Sequence, residues 1–136
     1  MSIHYLLDTD IASFIINGRF PKVRERLQGV PVAGVGISVI TEAELRFGLA
    51  RNPEASRLGF VVEEFLARVE ILAWDSKVAK IYASLRAAME REGNLIGSMD
   101  MMIAAHALAA GCVLVTHDRG FRRVKGLKIE DWSREH

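Results

Sequence analysis

Short apolar runs alternate with longer segments of helical periodicity along the chain, and this alternation is the feature that most constrains the fold. The apolar runs are too short for free-standing helices and suit strands that are buried on both faces. They lie at residues 3–7, 35–38, 69–73 and 112–115, with a shorter fifth candidate at 127–129. Strands that alternate with helices predict an α/β domain whose central sheet is mainly parallel.

Capping residues and helical spacing predict six helices between these strands. The first is expected over residues 11–17, with Thr9 or Asp10 as its N-cap and Gly18 at its end. The others are predicted from Pro21 to Gly29, over 39–50 and 54–68, from a cap at Asp75 or Ser76 to Glu92, and from a Ser98 cap to Gly111. The short segment 34–36 lacks the third glycine of a dinucleotide-binding loop and is expected to form a turn.

Length and composition indicate a globular protein of modest size. The 136 residues suit a single domain over residues 1–136, and 50% of them are hydrophobic, which is enough for a real core. A formal net charge of +1 says nothing about partners. This balance excludes a disordered chain, a collagen-like repeat and a disulfide scaffold.

The sequence also bears on the compartment in which the protein acts. The only cysteine, Cys112, cannot form an internal disulfide, which fits a reducing cytosol. The most apolar stretch, 101–115, is interrupted and too short to span a bilayer, and the first residues lack the pattern of a signal peptide. We therefore expect a cytoplasmic protein that does not enter a membrane.

Four acidic residues lie where this fold places its functional sites. Asp8 follows the first strand and Asp118 the fourth, so both should emerge at the carboxyl edge of the sheet. Asp100 and Glu44 lie on predicted inward faces of helices, where a charge is costly unless something compensates it. Crowded carboxylates need a proton or a cation, and Mg²⁺ or Mn²⁺ suits oxygen ligands. Such an ion polarises phosphates and activates water.

Each acid also has a purely structural interpretation. Taken alone, segment 41–44 favours a capping box that would make Glu44 structural, and Glu42 is expected to form an exposed pair with Arg46. Asp8 and Asp10 can simply start the first helix. Asp100 can satisfy a helix dipole, and Asp118 can be a turn residue. The occurrence of four such acids at inward faces and strand ends of one sheet favours a site.

Four sequence blocks, at 5–10, 38–48, 96–107 and 115–121, resemble the PIN-domain ribonucleases and, within them, the VapC toxins of bacterial toxin–antitoxin pairs. The resemblance covers nearly the whole chain. It implies a three-layer α/β/α sandwich with a mainly parallel sheet of four to five strands. It also implies a hydrolase, an endoribonuclease that uses Mg²⁺ or Mn²⁺. The acidic pocket of the family falls on Asp8, Glu44, Asp100 and Asp118.

The same resemblance carries further expectations. Thr116 would support a carboxylate or a bound water, and Asp10, where the family often has Asn, would have a secondary role. Segment 126–133 resembles a VapC subgroup that cuts initiator tRNA in the anticodon stem-loop. A VapB-type antitoxin and a homodimer are the expected partners.

Two groups of basic residues and one histidine have expected roles that follow from their sequence surroundings. A cluster of cations directly after Asp118 is a candidate contact for the RNA backbone, and it consists of Arg119, Arg122, Arg123, Lys125 and Lys128. A second group, Arg19, Lys22, Arg24 and Arg26, is expected to be a solvated face. His106, in an alanine-rich helix, is expected to be packed and hydrogen-bonded rather than to act as a base.

Two alternative functions remain open at this stage. Asp8-Thr9-Asp10 after a strand imitates the nucleophile motif of haloacid-dehalogenase-type phosphatases, in which Asp8 would carry the phosphoryl group. Those enzymes also need a positioned lysine and usually a cap, and neither is evident. The other alternative is an interaction module that keeps the fold without activity, and the four intact acids argue against it.

Overall fold

The computed structural model describes residues 3–134, and within them five strands alternate with six helices. The strands are β1 (Tyr5–Leu7), β2 (Val35–Ser38), β3 (Glu70–Leu72), β4 (Val113–Val115) and β5 (Ile129–Glu130). The helices are α1 (Thr9–Asn17), α2 (Pro21–Gln28), α3 (Val39–Arg51), α4 (Ser56–Arg68), α5 (Ser76–Arg91) and α6 (Ser98–Ala110), and short 3₁₀ turns cover Val32–Gly34 and Arg119–Arg123. Among these helices, none has both the length and the apolar character needed to cross a membrane.

All five strands are parallel, in the order β3-β2-β1-β4-β5. β1 is central, and Leu7 pairs with Ile37 on one side and with Val115 on the other. The carboxyl ends of β1, β2 and β4 therefore lie at one edge of the sheet. The chain builds outward from β1 through β2 to β3 and then returns to the other side of β1, so the switch point where ligands bind in such sheets lies between β1 and β4.

Two hydrophobic cores cover the two faces of the sheet, which confirms the predicted three-layer sandwich. Neighbouring side chains of a strand point to opposite faces, and accordingly Leu7 belongs to one core and Leu6 to the other. The Leu7 core is filled from α1, α3 and α4, and the Leu6 core from α5 and α6. Trp132, which is fully buried, closes the Leu7 core.

Two helix starts differ from the prediction. Asp8, not Thr9 or Asp10, is the N-cap of α1, because its extended backbone carries the strand directly into the helix and its Oδ1 accepts a hydrogen bond from the Ile11 amide. Ser98 is the first residue of α6 rather than its cap, and Gly97 holds the N-cap position without a side-chain hydrogen bond. Both helices thus begin earlier than their polar residues suggested.

Smaller differences concern the other elements. α4 begins at Ser56 rather than at residue 54, because residues 52–55 form a turn closed by the bond from the Ala55 amide to the Asn52 carbonyl. The fifth strand lies at 129–130 rather than 127–129, in the register that lets the Thr116 amide donate to the Glu130 carbonyl. Segment 34–36 is not wholly a turn, since its last glycine, Gly36, lies inside β2.

Gly36 allows β2 and β3 to approach closely, and its replacement by alanine should destabilise the fold. An added Cβ would lie 2.6 Å from Cδ1 of Leu72 and 3.0 Å from the carbonyl oxygen of Glu70, so the Leu72 side chain must move and the β3 backbone must give slightly. We expect Gly36→Ala to lower the free energy of unfolding by roughly 1–3 kcal/mol in urea titrations. Gly59→Ala is the control, because nothing lies within 4 Å of its Cβ and alanine favours the helix. Equal urea midpoints for Gly36→Ala and the parent would contradict this role.

Candidate active site

Asp8 lies where β1 passes into α1 beside the end of β4, and its carboxylate is held at both oxygens. The side chain is buried, with 4% of the residue exposed. Oδ1 accepts a hydrogen bond from the Ile11 amide at 2.9 Å, and Oδ2 accepts one from the Thr116 hydroxyl at 2.5 Å. The Asp8 amide in turn donates to the carbonyl oxygen of Val115 at 3.0 Å. The orientation of this carboxylate is therefore set by the backbone and by one neighbouring hydroxyl.

Burial raises the pKa of Asp8 to about 7. The hydrogen bonds from Thr116 and Ile11 oppose this rise, whereas the negative charges of Asp10 and Asp100 add to it. Near neutral pH the site therefore binds a proton at a carboxylate that is ordinarily ionised. A bound cation would favour the ionised form and would displace that proton.

Asp100 is the third residue of α6 and is half-buried. Burial is the largest cause of its raised pKa, and the charges of Asp118, Glu44 and Asp10 raise it further. These residues come from four separate parts of the chain. The structure thus brings the other three predicted acids, together with Asp10, within electrostatic range of Asp100.

Glu44 is held by a hydroxyl from α1 rather than by its own helix end. The Thr9 hydroxyl donates to Glu44 Oε1 at 2.6 Å and also contacts the Thr41 hydroxyl at 3.1 Å. The predicted capping box is wrong, because Ser38 is the N-cap of α3 and accepts from the Ile40 amide at 3.1 Å. Thr41 consequently lies inside the helix, and Glu44 points toward α1.

Asp118 and Asp10 are the exposed members of the group. Asp118 Oδ1 accepts from the Gly120 amide at 2.8 Å and so caps the short 3₁₀ turn, while its own amide donates to the Thr116 hydroxyl at 3.0 Å. Thr116 therefore links Asp8 to Asp118. Asp10 lies in the first turn of α1, where its charge raises the pKa of Asp8 and Asp100.

The donor chemistry of this cluster suits a hard divalent cation. All of its acidic side chains offer oxygen, and their mutual repulsion would be relieved by positive charge. Across residues 3–134, no three histidine, cysteine, aspartate or glutamate side chains stand close enough together to hold an ion as they are placed. Mg²⁺ usually keeps several waters and uses one or two carboxylates, so a complete protein cage is not required.

His106 and Ser38 join the two helices that carry Asp100 and Glu44. His106 Nδ1 lies 2.8 Å from the Ser38 hydroxyl, and both residues are buried. Burial lowers the pKa of His106, and the ring also hydrogen-bonds the backbone carbonyl of Ala73. His106 is packed and hydrogen-bonded, as expected.

Three hydroxyl residues of the site, Thr9, Ser38 and Thr41, were not recognised as such from the sequence. A usable signal existed for Ser38, because it ends a buried strand just as Asp8 and Thr116 follow the strands beside it. The sequence predicts Thr9 only as a possible cap and Thr41 only as part of a capping box.

The cations after Asp118 are exposed, but two of them already have partners. Arg123 Nη1 donates to the Leu95 carbonyl at 3.2 Å, and Lys125 Nζ lies 3.3 Å from a carboxylate oxygen of Glu92. Arg119, Arg122 and Lys128 are likewise exposed. In the second group, Arg24 donates to the Ile15 carbonyl through two nitrogens, at 3.0 and 2.7 Å, so it supports the end of α1 rather than being merely solvated.

Comparison with known sequences agrees with this geometry. A sequence model of the PIN domain matches residues 5–127. The tRNA(fMet)-specific endonuclease VapC of Shigella flexneri is 36% identical over 132 residues, which cover 96% of this chain and 99% of that relative. Ribonuclease VapC2 of Haemophilus influenzae (strain KW20) is 35% identical over 131 residues, or 96% of this chain and 98% of the relative. These names favour a nuclease over a phosphatase with Asp8 as nucleophile.

Solved structures show the same architecture. VapBC of Salmonella typhimurium, determined bound to DNA, contains a chain that is 37% identical with a TM-score of 0.89, and the match covers 96% of this chain and 98% of that one. VapBC2 of Rickettsia felis, bound to a promoter DNA fragment, gives a TM-score of 0.86 at 31% identity and covers 94% and 98%. This chain therefore belongs to the PIN-domain family and, within it, to the VapC ribonucleases.

Proposed function

We propose that this chain is a metal-dependent endoribonuclease that acts as the toxin of a VapBC-type pair. The observation that carries the proposal is the buried Asp8, whose pKa lies near 7 and which responds to the charges of Asp10 and Asp100. Burial of the ionised form of such a carboxylate is costly unless a cation compensates its charge. Its position at the switch point of the sheet is where α/β proteins bind ligands.

The roles proposed for the acids follow from how each is held. Asp8 and Asp100 are the buried and half-buried members and would hold Mg²⁺ or Mn²⁺, with Glu44 and Asp118 completing the pocket directly or through water. Such an ion supplies polarisation of a phosphodiester and of an attacking water. Thr116 and Thr9 orient the carboxylates of Asp8 and Glu44 through their hydroxyls.

The proposed substrate is initiator tRNA, cut in its anticodon stem-loop in the cytoplasm. Support comes from the Shigella and Salmonella relatives, both named tRNA(fMet)-specific endonucleases, at 36% and 37% identity over nearly the full chain. The exposed Arg119 and Arg122, directly after Asp118, are proposed to contact the RNA backbone together with Arg123 and Lys125.

A VapB-type antitoxin is the proposed protein partner, and a homodimer is the proposed assembly. Support for the antitoxin comes from the structural neighbours, which include VapBC complexes from Salmonella typhimurium, Rickettsia felis and Haemophilus influenzae. In such a pair the free toxin would cleave RNA and the complex would be inactive. The antitoxin gene would accordingly rescue cells that are arrested by this chain.

Asp100→Asn and Glu44→Gln should each lower cleavage of initiator tRNA by roughly 100-fold or more, because each removes a charge from the proposed metal pocket. The measurement is the rate of cleavage of transcribed initiator tRNA in Mg²⁺, with elongator tRNA as the comparison substrate. EDTA should abolish the parent activity.

Glu42→Gln is the matched control for Glu44→Gln. Glu42 lies on the same helix two residues away, but its carboxylate pairs with the exposed Arg46 at 2.8 Å. The control should cleave like the parent. Equal rates for Glu44→Gln and Glu42→Gln, or for Asp100→Asn and the parent, would refute the assignment of the pocket.

Asp8→Asn should stabilise the metal-free protein, and the gain should grow with pH. The folded state holds a proton on Asp8 up to about pH 7, whereas the unfolded chain releases it near the ordinary pKa of 3.8. The parent therefore loses stability as the pH rises from about 4 to 7, and the variant does not share this loss. Between pH 5 and pH 8 the stability difference should widen by about 2 kcal/mol in urea titrations.

Addition of Mg²⁺ at pH 8 should reverse part of this difference. The ion binds the folded parent and raises its melting temperature, whereas Asp8→Asn has lost a ligand and should respond less. A pH-independent difference between the two proteins would show that the Asp8 carboxylate is not destabilised by burial. An equal Mg²⁺ response in both would show that Asp8 does not hold the ion.

A further inference from the structure

Three aromatic rings from separate parts of the chain form a partly exposed cluster at the end of β4. The Phe14 and Phe20 ring centroids are 4.7 Å apart, and the His117 ring lies 5.7 Å from Phe14 and 6.0 Å from Phe20. Phe20 is 37% exposed, and the side chain of His117 is 44% exposed. The cluster therefore presents ring surface to solvent.

Two rings of this cluster are close in the chain to members of the acidic group. His117 stands between Thr116, which donates to Asp8, and Asp118. On α1, Phe14 lies one helical turn after Asp10 and so shares a side of the helix with it. The cluster and the acidic group therefore share the start of α1 and the end of β4.

Phe20 adopts a backbone conformation that favours glycine. Its φ of 53° makes it the only non-glycine residue with a positive φ among residues 3–134. Side chains other than glycine, asparagine and aspartate rarely occupy this region, and such strain concentrates at functional sites. Glycine adopts this conformation without strain, so Phe20→Gly removes the ring while keeping the backbone conformation.

Arg19 adds positive charge to the cluster, and Ser133 and Asp131 contact the His117 imidazole. The exposed Arg19 guanidinium lies 5.7 Å from the Phe14 centroid and 5.5 Å from that of Phe20. His117 Nδ1 lies 3.3 Å from the Ser133 hydroxyl and 4.0 Å from an Asp131 carboxylate oxygen. Ser133 in turn hydrogen-bonds Asp131 through both its amide and its hydroxyl, which orders the segment behind the imidazole.

We propose that Phe20, His117 and Arg19 form a subsite for one unpaired nucleotide of the RNA, beside the acidic pocket. Aromatic faces stack on bases, and a guanidinium beside them binds the adjoining phosphate, a combination found in proteins that hold single-stranded RNA. A purely apolar ligand would make no electrostatic contact with the Arg19 guanidinium. The subsite rests on the proposed ribonuclease function and gives that function a means of holding one nucleotide next to the cleaved bond.

Binding to short single-stranded RNA tests the subsite separately from cleavage. Asp100→Asn protein in Mg²⁺ is titrated with a fluorescein-labelled oligonucleotide and with a series of the same oligonucleotide carrying one abasic nucleotide. Phe20→Gly should weaken binding of the intact probe by about tenfold, because base stacking contributes this order of affinity. The loss should disappear with the probe that is abasic at the stacked position. Phe20→Tyr keeps the ring and should bind like the parent.

The controls separate a binding role from a structural one. Phe60→Ala removes another exposed ring, on α4, and Arg57→Ala another exposed cation, and neither should change binding. Arg19→Ala should weaken binding of intact and abasic probes alike, as loss of a phosphate contact does. Phe20→Gly should keep the melting temperature of the parent, because glycine adopts a φ of 53° without strain.

Three results would overturn the subsite. The first is that Phe20→Gly binds RNA as tightly as Phe60→Ala does. The second is that it loses the same affinity for the intact and the abasic probes. The third is that it weakens binding of a purified VapB-type antitoxin and leaves RNA binding unchanged. A parent that cleaves no RNA but shows the base-dependent loss in Phe20→Gly would refute the proposed nuclease while supporting the subsite. Normal RNA cleavage by the parent, with no base-dependent loss of affinity in Phe20→Gly, would support the proposed nuclease and refute the subsite.

Discussion

The burial of a carboxylate at the carboxyl end of the central strand is the constraint on which the rest of the structure depends. Asp8 caps α1 with one oxygen and accepts the Thr116 hydroxyl with the other, so the same side chain joins β1, α1 and β4. Taking this group out of water raises its pKa to about 7. The ionised form of Asp8 therefore costs the fold stability, and in the proposed function a cation compensates that charge.

The remaining acids are brought to Asp8 by contacts outside the acidic pocket. The buried pair of His106 and Ser38 ties α6, which carries Asp100, to the start of α3, which carries Glu44. The Thr9 hydroxyl then links Glu44 back to α1. The carboxylates of Asp8, Glu44 and Asp118 thus accept hydrogen bonds from neutral hydroxyl or amide groups, which helps these acids to stay close in spite of their repulsion. The proposed aromatic subsite lies at the same carboxyl edge of the sheet and would bind the substrate beside these acids.

Much of the architecture follows from local patterns in the chain. Alternation of short apolar runs and helical segments predicted the parallel sheet and the six helices, because both periodicities are local properties. The errors are local too. Asp8 rather than Thr9 or Asp10 caps α1, and the fifth strand is shifted by its pairing with β4. The capping box at Glu44 failed because a serine three residues before Thr41 had already capped the helix.

By itself, the sequence determined which elements form, which residues face inward, and that four acids lie at strand ends and inward helix faces, since chain periodicity and strand order dictate these. Only the tertiary structure decided how those acids are held and that the pKa values of Asp8 and Asp100 rise. Desolvation of Asp8 and the hydrogen bonds from Thr9 and Thr116 depend on residues more than 30 positions apart. The cluster of Phe14, Phe20 and His117 is likewise invisible in the sequence, because no spacing rule relates a strained helix start to a loop nearly a hundred residues later.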